Sequence, residues 1–361
     1  MKHIEEYRNP EISKKIASEI KKRCKKKIRL MEVCGTHTTS IFKNGIRNVL
    51  PDKITLISGP GCPVCVTPVN EIDAFIELAN IKNVIIATFG DLIRVPGSKS
   101  SLQKAGAAGK NIQVVSSPID AVNLAAENPN KKIIFLGVGF ETTAPAIAGS
   151  IIFAKETSVK NYFVYSAHKT VPPALSALMA DNNTDINGFI LPGHVSMVIG
   201  VCAYLSFFNN YKIPSVIAGF EPVDLLNAIL MLIKQIETNS YKLQNAYERA
   251  VSFEGNKKAQ ELIAKVFYKT DAKWRGIGII KNSGVKINRQ FANFDAEKKF
   301  DIKTTDALKE PKGCSCGQIL QGIMRPTECP LYKKICNPIN PIGPCMVSSE
   351  GTCAAYFKYF E

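Results

Sequence analysis

Eight short apolar runs, rich in Ile and Val and separated by helix-like stretches, constrain this chain more than any other feature. They are Ile28–Val33, Ile54–Ser58, Val84–Thr88 and Ile112–Val115, then Ile133–Val138, Tyr162–Ser166, Asn187–Leu191 and Ser215–Ala218. The runs are continuous rather than alternating, as strands buried on both faces of a parallel sheet require. Strands alternating with helices make βαβ units. Four runs in each half predict two small doubly wound α/β domains, residues 1–128 and 129–222. After about Glu221 the alternation stops. Asp224–Leu243 and Lys257–Tyr268 read as helices, and residues 223–361 form a third, helical and Cys-rich part.

The unusual residues sit just after the strands, at the carboxyl edge where open α/β sheets bind ligands. Cys34-Gly35-Thr36-His37-Thr38 follows the first run. A Cys and a His three residues apart on a tight turn can reach one metal, or one can activate the other. A buried Cys with a hydrogen-bonded His gives the same pattern. Ser58-Gly59-Pro60-Gly61-Cys62-Pro63-Val64-Cys65 follows the second run. A Cys-x-x-Cys at a strand-to-helix turn suits a dithiol/disulfide pair, because a helix start favours the thiolate; half a zinc site is the alternative. In the second half, Gly137-Val138-Gly139-Phe140-Glu141-Thr142-Thr143 lacks the Lys of a phosphate-binding P-loop, so Glu141 reads as part of a polar network facing the cleft or as part of a plain βα turn. His168 and His194 also follow runs, which puts three of the four histidines at carboxyl edges; His3 lies in the N-terminal tail.

Six cysteines, Cys314, Cys316, Cys329, Cys336, Cys345 and Cys353, crowd the C-terminal part among Pro326, Pro330, Pro338, Pro341 and Pro344. So many prolines forbid long regular elements, and a segment that buries little surface needs a staple. A four-thiolate iron–sulfur cluster, a structural zinc or free thiols all satisfy the spacing. The close pair Cys314-Ser315-Cys316 is not the Cys-x-x-Cys of most zinc sites, and no ferredoxin-like run is present. Spacing does not choose four ligands from six.

Eleven cysteines behind a polar, acid-bearing N-terminus read as reduced cytosolic thiols with metal or redox work. Residues 188–208 lack a formal charge, but Pro192-Gly193-His194 interrupts them, so they read as a strand and a buried helix rather than a membrane span. The net charge of +15 raises the question of nucleic acid. The one dense basic run, Lys21 to Lys27, ends a helix-like segment, Pro10 to Lys26, and carries no interleaved aromatics, so it reads as a solvated helix end.

The motifs MEVCGTHT, SGPGCPVCVTP, GFETTAP, LPGHVS and AGFEPVD, with the C-terminal CSCG…ECPLYKKIC…PIGPCMVSSEGTCAAY, resemble the HypD family of [NiFe]-hydrogenase maturation proteins, in the family's order from about Leu30 to Tyr356. The chain departs from the pattern at Thr38, where many relatives carry Glu, and at Thr39, where a further His follows; fewer ligands remain in that motif. The resemblance implies two α/β domains and a small [4Fe-4S] domain. Its ligand pattern, C-x14-C-x6-C-x16-C, falls here on Cys314, Cys329, Cys336 and Cys353, and leaves Cys316 and Cys345 as a second redox pair. It further implies a scaffold on which, with a HypC-type chaperone and cyanide from a HypE-type donor, an Fe(CN)2CO unit is built for the hydrogenase large subunit. Cys34 would hold that iron transiently, with His37 beside it as ligand or proton carrier. Cys62 and Cys65 would supply electrons, and Glu141 and His194 complete the candidate catalytic set. A stand-alone iron–sulfur dithiol/disulfide reductase and a nucleic-acid-binding protein with a structural metal are the competing readings.

Overall fold

The computed structural model describes residues 5–181, 184–302 and 310–360; His3 lies outside them. All eight runs form strands, with ends within one residue of expectation: β1 (Ile28–Glu32), β2 (Ile54–Ser58), β3 (Val84–Thr88), β4 (Ile112–Val114), β5 (Lys132–Gly137), β6 (Tyr162–Ser166), β7 (Gly188–Pro192) and β8 (Ser215–Ala218). Two parallel sheets result, ordered β4-β3-β5-β6 and β2-β1-β7-β8 with a further edge strand, β9 (Leu243–Asn245).

The strands do not divide between the sheets as the two sequence halves do. The chain leaves the first sheet after β2, runs β3 to β6 through the second, and returns as β7 beside β1, pairing Leu30 with Gly188 and Glu32 with Ile190. Each sheet therefore holds strands from both 1–128 and 129–222. The apolar pattern could not reveal this, because strands buried on both faces carry no register or partner signal. Both sheets reverse their winding, the first between β1 and β7, the second between β3 and β5. Ligands bind outside the strand ends at such reversals.

Alternate side chains go to different cores. On the first sheet, Leu30, Leu56, Ile190 and Val216 pack on the helices Pro10–Arg23 and Pro222–Glu237. On the second, Ile133, Phe135 and Val164 pack on the helices Pro118–Glu127 and Ala144–Glu156. The remaining faces, with Met31, Ile86, Leu136 and Leu191, share one central core. Cys316, Leu320, Cys345, Met346 and Cys353 belong to that same core. The Cys-rich segment is thus packed into the body of the molecule rather than organised apart from its apolar core, as its composition suggested.

More strand follows Glu221 than the sequence pattern suggested. Besides β9, an antiparallel hairpin pairs β10 (Phe267–Trp274) with β11 (Gly278–Ile287). β9 has only three residues and β10 is largely polar, so neither shows an apolar run. The helices around them, Pro222–Glu237 and Lys257–Val266, end earlier than expected. The hairpin is a clamp: the Arg275 amide donates to the Val66 carbonyl at 2.8 Å, and the Thr170 amide donates to the Ser283 carbonyl at 2.8 Å.

One buried ion pair ties the loop after β6 to the helix Val69–Asn80. Lys169, 2% exposed, donates to both Glu71 carboxylate oxygens at 2.9 and 3.0 Å and to the Ala167 carbonyl at 3.2 Å. Removing one partner of such a pair strands the other charge away from water. Lys169→Met is expected to cost about 3–5 kcal/mol in denaturant unfolding, and the double change with Glu71→Leu to recover most of it.

Candidate functional site

Cys34 and His37 stand at the reversal between β1 and β7. Cys34 is the residue before the helix Gly35–Lys43, and the backbone N–H groups of Thr36 and His37 reach its sulfur. Burial, reinforced by the nearby Glu350 carboxylate, nonetheless pushes its thiol up to about 11. The metal-free chain therefore holds a protonated thiol whose thiolate is prepared for by the amides at a helix start. His37 is fully buried, and burial lowers it to about 4, so its ring is neutral at pH 7. Its Nε2–H donates to the Ala218 carbonyl at 3.2 Å. That bond fixes the tautomer and leaves Nδ1, buried without a partner, as a free lone pair.

Two backbones in contact seat the dithiol motif against Cys34. A Cβ on Gly61 would lie 2.2 Å from the Cys34 nitrogen, and the Gly35 amide donates to the Gly61 carbonyl at 3.0 Å. Only glycine allows this approach. Cys62 then precedes the short helix Pro63–Val66 and accepts the Cys65 amide at 3.3 Å. The two sulfurs are 2.6 Å apart, within a small movement of the bonded distance, and both are buried.

All six C-terminal cysteines line one small pocket, whose other walls include Ile319, Leu331 and Met346. Cys316 and Cys345 lie 3.0 Å apart, and Cys345 and Cys353 3.2 Å apart, sulfur to sulfur. Backbone amides point at the sulfurs. The Ile342 amide donates to Cys336 at 3.4 Å. At Cys329 burial acts upward, but amides including those of Ser315 and Leu331 outweigh it and leave the thiol below its usual range. Soft donors, apolar walls and N–H···S bonds are the surroundings an iron–sulfur cluster takes. Among the described residues no three His, Cys, Asp or Glu side chains gather as a single-ion site; the thiols spread around the pocket. The pocket also adjoins the dithiol motif. The turn Pro344–Met346 packs on Pro63–Val66, and Cys316 and Cys345 add to the burial that pushes the Cys65 thiol up.

The same segment reaches Cys34 by another arm. Glu350 accepts a hydrogen bond from the Thr36 hydroxyl, and a Cβ on Gly35 would meet the Glu350 carbonyl at 2.4 Å. Thr39, one of the departures from the family pattern, donates to the Ser349 carbonyl at 3.3 Å. Thr38, the other, is buried and turned to Cys34 O and Glu32. Glu32 lies beneath, accepting from Ser58 at 2.7 Å with Arg47 3.6 Å away.

His194 joins His37 through Phe220: the Phe220 ring stacks on His194 at 3.8 Å and lies 4.8 Å from His37. His194 also lines a cleft with Thr142, so a motif that follows the first sheet and one that follows the second meet at its mouth. Glu141 and His168 belong to the second sheet and are not drawn to the sulfurs. Glu141 accepts from the Val171 amide at 2.9 Å, and burial raises its carboxyl to about 7. His168 is held by Ser166 at 3.0 Å. Glu350, Arg47 and Phe220 carry no local signal of their role, because Thr36, Glu32 and His37, the groups they meet, lie elsewhere in the sequence. Phe220 and Glu350 do stand inside the motifs AGFEPVD and SSEGTC.

The depressed pKa of His37 has a measurable sign. Between pH 6.5 and about 4 the unfolded chain binds the proton and the folded chain does not, so stability falls as pH drops through that window. In His37→Gln the pH dependence should be weaker by about 2–3 kcal/mol, read from denaturant titrations of metal-free chain at pH 7 and about 4.5.

The HypD family model, described as "Hydrogenase formation hypA family", matches residues 11–360. The chain is 42% identical over 367 residues to the hydrogenase maturation factor HypD of Escherichia coli K12, covering 99% of this chain and 98% of that one. It is 43% identical over 368 residues to HypD of Azotobacter vinelandii, with 99% and 97% covered. It is also 43% identical over 370 residues to HypD of Rhodobacter capsulatus, with 99% and 98% covered. No helix among the described residues is long and apolar enough to cross a membrane. With nearly its whole length matched, the chain belongs to the HypD family of hydrogenase maturation factors.

Proposed function

We propose that the chain is the scaffold on which an Fe(CN)2CO unit is assembled, working with a HypC-type chaperone and a HypE-type cyanide donor before the unit passes to the hydrogenase large subunit. The observation that carries this reading is the Gly61 contact, which holds a buried dithiol beside a buried Cys–His pair at a sheet reversal. The iron being built is cargo. Cys34 gives up its proton and binds it as thiolate, a soft donor suited to Fe(II) with strong-field ligands. The free Nδ1 of His37 serves as second donor or proton carrier. Burial keeps water from the diatomic ligands.

Cyanide reaches the site as a thiocyanate on the donor's cysteine. Breaking its S–C bond takes two electrons. Cys62 and Cys65 supply them by closing to a disulfide: the donor leaves as thiol, cyanide goes to the iron, and one proton is released. Cys314, Cys329, Cys336 and Cys353 hold a [4Fe-4S] cluster, which when bound supplies single electrons next to the sulfurs of Cys316 and Cys345. Those two cysteines, 3.0 Å apart and packed near Cys65, form the second dithiol. Eleven unpaired cysteines suit a reducing, cytoplasmic setting. A stand-alone reductase of disulfide-bonded proteins fits less well, because Cys62 and Cys65 are 4% and 0% exposed.

The test is infrared spectroscopy of the chain purified anaerobically with its chaperone. CN and CO bands are expected in the wild type. Cys34→Ser should lose them all. Cys62→Ser should still bind the chaperone and iron but show no cyanide band. Undiminished cyanide bands in Cys62→Ser would refute the dithiol step.

A further inference from the structure

We infer that Phe220 is the positioning residue for the imidazoles of His37 and His194, and that the N-terminal residues Tyr7 and Arg8 brace it from outside. The inference rests on the reading that His37 serves the iron berth.

Phe220 lies in the loop between β8 and the helix Pro222–Glu237. Its ring makes the middle of a three-ring column: His194 stacks on it at 3.8 Å and 24°, and His37 leans on it at 4.8 Å and 35°. Tyr247 meets it edge-on at 6.0 Å. The polar anchors of His37 lie on one side of its ring, Nε2 on the Ala218 carbonyl with the Gly219 backbone alongside. Hydrogen bonds at one edge still let a ring rock about them. The Phe220 face blocks that motion, and so fixes where the free Nδ1 lone pair points. His194 is exposed, so its place over the cleft depends on the stack.

The loop is built to hold that ring still. The Ser40 hydroxyl, on the helix that carries His37, donates to the Phe220 carbonyl at 2.5 Å. A Cβ on Gly219 would lie 2.4 Å from Asp224 Oδ2, and one on Gly193 2.4 Å from the Ala218 carbonyl and 3.1 Å from the Phe220 ring, so both neighbours must be glycine. Asp224, 2% exposed, takes Arg249 in a two-pronged pair at 2.8 and 2.6 Å. The Arg249 guanidinium is stacked between Tyr7 at 3.6 Å and Tyr247 at 4.5 Å. Arg8 makes a second two-pronged pair with Glu221, the residue after Phe220, at 2.6 and 2.8 Å. The Arg8 pair is exposed, so on its own it adds little stability. Its geometry, doubled on the residue next to Phe220, restrains direction.

The experiment uses full-length chain labelled at histidine for NMR, metal-free, and the same variants loaded with chaperone for infrared spectroscopy. In Phe220→Leu the His37 and His194 ring signals should move downfield together as the ring current disappears. Assembly of the CN-bearing unit should slow about ten- to a hundredfold, the scale of a misplaced reacting group. Phe220→Tyr should restore both signals and rate. Arg8→Ala, at an exposed position that leaves folding intact, should shift the same two signals in the same direction by less. Unmoved histidine signals in Phe220→Leu, or a Tyr variant as slow as the Leu variant, would overturn the inference. If the signals move but His37→Gln assembles the unit at the normal rate, the berth reading of His37 falls instead.

Discussion

The pairing of β1 with β7 is the constraint on which the rest of the site depends. It joins strands separated by well over a hundred residues and creates the reversal at which Cys34, His37 and His194 stand. Side by side, β1 and β7 deliver two helix starts to one edge. β2, on the other flank of β1, delivers the dithiol motif. Neither a cysteine nor a histidine creates the site alone; the sheet order gives each its neighbour.

Glycine makes that convergence tight enough to matter. Gly61 lets one strand-end loop touch the backbone of the next, and Gly35 does the same for the Cys-rich segment arriving with Glu350. Electrostatics then set the resting state. Burial keeps Cys34 a thiol and His37 an uncharged base, so neither side chain carries an unpaired charge away from water. A cation changes the balance, because it stabilises the thiolate that burial disfavours. On the proposed reading, the site is poised for a metal-bearing load.

Much of this was legible in the residues. The eight strands, the helix starts after them and the seats of Cys34, His37, Cys62 and Cys65 follow from apolar runs and turn residues, which are local signals. Strand order was not legible, since Leu30 and Ile190 are apolar on both sides and name no partner. β9 and the β10–β11 hairpin escaped because Leu243–Asn245 is short and Phe267–Trp274 is mostly polar. Glu141 entered the candidate set on the strength of its position after a strand, yet its carboxylate accepts from Val171 within the second sheet; His168, at an equivalent strand end, is held by Ser166 there. The six C-terminal cysteines were visible as a cluster, but not that their pocket abuts Cys65 and shares the central core.

On the proposed reading, sulfur gathers iron in two places, a lasting group in the C-terminal pocket and a passing load at Cys34. Iron and acid-labile sulfide, counted per chain after anaerobic purification, test it most directly. About four of each are expected in the wild type, with loss of both in Cys329→Ser and no loss in Cys34→Ser. Chain that is folded and competent in hydrogenase maturation, yet free of iron and sulfide, would contradict it.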